Sequence, residues 1–177
     1  MSYSSGRILL STQREGQVAR FSAWVVVLVP LAAILFQVYV PLFFQVLGYL
    51  EMPLLVVVYF ALMRRNPLGG LLIGSLVGLV QDSLSKNPLG MFGIVKTLVG
   101  YFASSIGIRL DVDNVVIRFL LAYFFFVFHQ FFYWVLARAL LRQPLAFEVE
   151  RTVVVGLLNA VVGIAVYHFL DKLRQSS

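Results

Sequence analysis

Residues 24–63 form a run of 40 positions whose only charged side chain is Glu51. As one straight helix this run would measure about 60 Å, roughly twice the hydrocarbon thickness of a bilayer. It therefore belongs in lipid, and it has to fold back on itself. The polar and helix-breaking residues of "QVLGYLEMP", with Gly48, Glu51 and Pro53, place the turn. One helix is expected over about 22–44 and a second, shorter one over about 52–64, with a start as early as Val46 also compatible.

The rest of the chain has the same character. Of its 177 residues 60% are hydrophobic and 12% charged, against about a quarter charged in soluble domains, and the mean hydropathy is +0.91. Short polar turns, "RRNP" at 64–67, "SKNP" at 85–88, "RLDVDN" at 109–114 and "RQPLAFEVER" at 142–151, divide the remaining apolar sequence. Further helices follow over about 68–85, 89–109, 115–141 and 152–170. The fold class is all-α: a polytopic membrane protein with a six-helix transmembrane bundle. The segments are an N-terminal stretch over 1–21, the six-span domain over 22–170 and a tail over 171–177. The first twenty residues lack the short apolar core and small-residue cleavage site of a cleaved signal, so the first apolar run is expected to remain as a span.

An even number of spans puts both ends of the chain on one side. With that side cytoplasmic, the inner segments hold nine basic residues: Arg7, Arg14, Arg20, Arg64, Arg65, Arg109, Arg118, Lys172 and Arg174. The outer segments hold four, Lys86, Arg138, Arg142 and Arg151. This excess follows the positive-inside pattern and accounts for the formal charge of +6 without nucleic acid as a partner. The basic N-terminal stretch suits either the anionic inner leaflet or a free tail. With no cysteine in the chain, disulfides and thiolate chemistry are excluded.

The most informative stretch is "GGLLIGSLVGLVQDSLSKNPLGMFGIVKTLVGYF", residues 69–102. Gly74, Gly78 and Asp82 are spaced i, i+4, i+8 and share one helix face. Gly90, Gly93, Gly100 and Gly107 give the next helix a similar set of small positions. Such residues let membrane helices approach closely. Tight packing of the third helix on the fourth is expected, or of either on the sixth, where Gly156 and Gly163 lie. Asp82 and Lys96 fall at similar depths on the two helices. Each would cost about 2.5–3.5 kcal/mol unpaired at a helix centre, and less nearer the interface, so the two are expected to pair across the hairpin.

This stretch resembles the central signature of the MreD family, the rod-shape-determining integral membrane proteins of bacteria. The resemblance rests on the small-residue helix ending in Asp82, the Pro88–Leu89–Gly90 turn and the helix leading to Gly100–Tyr101. It implies a non-enzymatic role in cell-wall elongation in the cytoplasmic (inner) membrane. The implied partners are the bitopic protein MreC and, through the complex, RodA with its penicillin-binding protein and the MreB cytoskeleton. The family is also similar in architecture to the S-components of energy-coupling-factor vitamin transporters. A substrate-binding transport subunit is accordingly the alternative function.

The residues themselves offer little for catalysis. His129 and His168 have no histidine or acid at i+3 or i+4, so metal-ligand spacing is absent. The glycines of 69–78 lie inside an apolar helix rather than after a strand, and so form no phosphate loop. No cofactor is expected. His129 and Gln130 could line a polar pocket or bond to Asn159 of the sixth helix. The phenylalanines at 124, 125, 126, 128, 131 and 132 surround their helix on all sides and read as lipid contact and packing, with a broad apolar groove for a partner's transmembrane helix as the alternative. Tyr133 and Trp134 suit the interfacial aromatic belt. Asp111 and Asp113, with Arg109 and Arg118, read as a solvated loop, with a binding site as the alternative. The outer segments offer Gln45, Tyr49 and Glu51 on one side and Arg142, Gln143, Glu148, Glu150 and Arg151 on the other, for a modest pocket at best. Helix packing or partner docking is expected at Gly74, Gly78, Asp82, Gly90, Gly93, Lys96, Gly100 and Tyr101.

Overall fold

The computed structural model of the chain describes residues 21–85, 88–142, 144 and 146–174. The expectations for the N-terminal stretch, for Lys86 and for the last three residues lie outside these. The described residues form six α-helices and no strand: α1 (Ala23–Tyr39), α2 (Met52–Arg64), α3 (Pro67–Leu84), α4 (Met91–Gly107), α5 (Val115–Leu141) and α6 (Val149–Asp171). Five stretches are long and apolar enough to cross a membrane: Ala23–Leu42, Gln45–Arg64, Pro67–Leu84, Val115–Leu141 and Val149–Asp171. The sixth helix, α4, is apolar but has 17 residues, at the lower end of what spans a bilayer.

The first helix is shorter than expected. It ends at Tyr39, and the chain continues through two 3₁₀ segments, Val40–Leu42 and Gln45–Tyr49. Pro41 lacks the N–H that an α-helix needs at that point, so the turn begins several residues before Gly48. Three helix starts carry a capping side chain: Ser22 receives the N–H of Val25, Asn66 those of Leu68 and Gly69, and Asn114 that of Val116. Helices α2 and α5 both end on an arginine in the left-handed region, Arg65 and Arg142, each with φ 51°.

Helix α2 lies at the centre and touches each of the other five. Residues 53–63 are all buried, which suits a helix apolar on every side. Around it the neighbours run α1, α3, α4, α5, α6. The ring is open between α6 and α1. There an apolar groove of about 500 Å³ has Met52 and Val56 of α2 among its lining, flanked by Val29, Ala33 and Phe36 of α1 and by Val166 and Phe169 of α6.

The closest contact in the ring joins α3 to α4. A Cβ on Gly70 would overlap the Gly100 carbonyl and Ser104 Oγ; one on Gly74 would overlap the Lys96 carbonyl; one on Gly78 would overlap the Phe92 carbonyl. The glycine face of α3 thus packs on α4, backbone to backbone, and of the two packings open from sequence it is this one that forms. On α6, Gly156 meets Tyr123 and Phe126, and Gly163 meets Leu55 and Ala122.

Candidate functional site

Two helices, α2 and α4, begin at partly buried positions, and their first N–H groups need acceptors from outside the helix. Both are capped by side chains from other parts of the chain. At α4 the N-cap is Gly90, held at φ 95° and offering no side chain of its own. Asp82, at the end of α3 and 1% exposed, supplies the acceptor. Its Oδ2 accepts the N–H groups of Gly90 (3.0 Å) and Gly93 (2.9 Å), and Oδ1 accepts that of Phe92 (3.1 Å). Three orphan donors and the positive end of the helix dipole share one carboxylate.

At α2 the caps come from α6 and α1. Asn159 Oδ1 accepts the Glu51 N–H at 2.8 Å, and its Nδ2 donates to the Tyr49 and Val155 carbonyls at 2.8 and 2.9 Å. Gln37 Oε1 accepts the Met52 N–H at 3.2 Å. Asn159 therefore serves the turn before α2 rather than His129.

The Asp82–Lys96 pair expected from the sequence does not form. Lys96, with 0% exposure, directs its Nζ to Glu51 Oε2 at 3.9 Å and His129 Nε2 at 3.2 Å. The reason is geometric: the Asp82 carboxylate is occupied by the start of α4, while Lys96, a turn further along, faces α2 and α5. An ammonium only donates, so His129 Nε2 is the acceptor and the proton of the neutral ring is on Nδ1. Phe92 packs over this centre, with Lys96 Nζ 4.2 Å from its ring centroid and the rings of His129 and Tyr133 stacked at 5.7 and 5.1 Å. Glu51 lines two hollows. One of about 370 Å³ is shared with Gln130, Tyr133 and Trp134, and one of about 490 Å³ with Gln37, Gln81 and Phe92.

Glu51 is the residue that sequence reasoning undervalued. It served there to mark a turn and as one member of a modest outer pocket, yet it was the only charge in a 40-residue apolar run, and an ionisable group in such a setting is a functional candidate with a partner to be found. Of the other expected residues, Gly74, Gly78, Gly93 and Gly100 lie in the α3–α4 contact, where Gly93 meets Leu79 and lies close to Asp82. Tyr101 is 45% exposed on the outer face of α4. Gln130 lines the smaller hollow.

A second polar cluster sits at the far end of α5 and α6. Arg118 is hydrogen-bonded to Asp171 through both Nη atoms, to Asp113 at 3.3 Å, and to the Val112 carbonyl. Tyr59 of α2 donates to Asp171 at 2.8 Å, and Arg174 reaches Asp113 at 3.4 Å. Asp113 is thus tied into an ion-pair network rather than only solvated. An arginine in the first turn of a helix opposes the dipole, and that was the available sign that Arg118 has an acidic partner.

These features define a class: a multi-pass membrane helical bundle organised around buried polar contacts. Residues 19–177 match the family described as rod shape-determining protein MreD. The chain belongs to the MreD family, and its part in the cell is rod shape determination. No curated protein and no solved structure matches it.

Proposed function

We propose that this protein is a non-enzymatic scaffold of the cell-wall elongation complex in the inner membrane. It binds MreC, and through the complex it links the cytoskeleton to RodA and its penicillin-binding protein. Both of its ends are cytoplasmic, the orientation favoured by nine inner against four outer basic residues. The membership of nearly the whole chain in the MreD family carries the reading.

The open ring around α2 supports it. A partner's single apolar helix lying between α1 and α6 would complete the shell around α2. The outward face of α1, with Trp24 74% and Val27 60% exposed, extends that surface. In lipid the attraction comes from close packing rather than from water exclusion, so fit to the groove decides the partner.

The test is affinity capture of the full chain from mild detergent, with disulfide crosslinking between cysteines placed at Ala32 and Ala165 and single cysteines along the MreC span. Recovery of MreC and crosslinks with helical periodicity are expected. Recovery of ATPase subunits instead, without MreC, would replace the scaffold by the transport reading.

A further inference from the structure

Above Glu51 the bundle holds a cavity of about 370 Å³ that opens beside the α5–α6 loop. This lies within the roughly 300–1,000 Å³ of small-molecule sites. Its walls are the aromatic side chains of Tyr49, Phe126, Tyr133, Trp134 and Phe147. Its polar lining includes Glu51, Gln130 and Thr152, with the exposed Glu148–Arg151 pair. The two sides come from segments about 100 positions apart in sequence, and Asn159 fixes the Tyr49–Glu51 side through two hydrogen bonds.

The charges at this site are already matched. Glu148 and Arg151 pair at 3.1 Å, with the guanidinium 5.4 Å from the Tyr49 ring. Glu51 has Lys96 behind it at 3.9 Å, and Lys96 is fully enclosed. The Glu51 Oε2 atom is buried and accepts no hydrogen bond. Among the described residues the site therefore has a carboxylate, Glu51, whose Lys96-facing oxygen has no hydrogen bond and whose side chain is 15% exposed, together with flat aromatic walls and charged groups that are each paired. A charged guest would lose its hydration without finding a free counter-charge.

We propose that this cavity is a binding site for a small uncharged molecule with a flat ring face and a hydroxyl or amide donor. The ring lies against the aromatic walls and the donor bonds Glu51. The site is independent of the scaffold reading and stands or falls separately from it.

The test uses the full chain in lipid nanodiscs with empty nanodiscs subtracted, and saturation-transfer NMR with three probes: 2-phenylethanol, phenethylamine and 3-phenylpropionate. The neutral alcohol is expected to bind, and both charged analogues about tenfold or more weakly. Glu51→Gln should weaken the alcohol by about tenfold. Because that variant disturbs Lys96, Val155→Trp serves as a second one, filling the cavity from its α6 wall and abolishing the signal. Equal or tighter binding of the amine, a signal indifferent to Val155→Trp, or no binding of any probe would each overturn the proposal.

Discussion

The carboxamide of Asn159 accepts the Glu51 N–H and donates to the Tyr49 carbonyl, both at 2.8 Å. One side chain of α6 thus holds both backbone groups at the turn into the central helix. Asn159 is completely buried, and its bonds to Glu51 and Tyr49 are part-buried. Asn159→Leu should lower stability by about 1–3 kcal/mol, the cost of orphaned buried polar groups. The thermal midpoint of purified protein in detergent measures this, and an unchanged midpoint would show that the turn is held by something else.

The α3–α4 contact predicts a sharp contrast among glycines. Gly74→Leu and Gly78→Leu place side chains into the backbone of α4 and should cost more than the ~1–3 kcal/mol usual for overpacking. Little folded protein should be recovered. Gly69→Ala, whose new methyl meets only Asn66 at 3.5 Å, should be neutral or stabilising by up to ~1 kcal/mol. Size-exclusion profiles of the three variants test the contrast.

Asp82 acts as a remote helix cap. Asp82→Ala should cost about 2–3 kcal/mol, and Asp82→Asn, which keeps an acceptor, less. Exchanging the two residues, Asp82→Lys with Lys96→Asp, should not rescue the single variants, because a lysine at position 82 sets a cation against the positive end of α4. Recovery of folded protein by the exchange would restore the direct pair.

At the opposite end, Arg118→Ala should be more damaging than Tyr59→Phe. The arginine side chain is 8% exposed and meets two carboxylates, whereas the tyrosine loses one hydrogen bond. Expected losses are about 1–3 kcal/mol, reduced by the partial exposure of Asp171, against about 1 kcal/mol. Limited proteolysis of the α5–α6 end gives the ranking.

The spans were legible because lipid leaves few options. Composition and turn residues located α2 and α5 at 52–64 and 115–141, and the i, i+4 spacing of Gly74 and Gly78 announced a close helix contact. What failed was the assignment of partners. Asp82 and Lys96 lie at similar depths, and depth alone made them a pair. Sequence does not show that a glycine N-cap at position 90 leaves three N–H groups needing Asp82, nor that the turn before α2 brings Glu51 under Lys96. Both facts depend on how helices far apart in sequence rotate against each other. The same holds for the cavity: the two outer segments suggested only a modest pocket, and Phe126, Tyr133 and Trp134, which wall it, read as packing and interfacial belt.

The most direct measurement is a double-mutant cycle on Glu51 and Lys96, using Glu51→Gln, Lys96→Met and the combined variant in thermal unfolding. Each single change should cost about 3–5 kcal/mol by stranding a buried charge. The double should recover at least about 1 kcal/mol of their sum and exceed the coupling of Lys96 with Asp82. Strict additivity at Glu51–Lys96, or a larger coupling to Asp82, would contradict the polar centre described here.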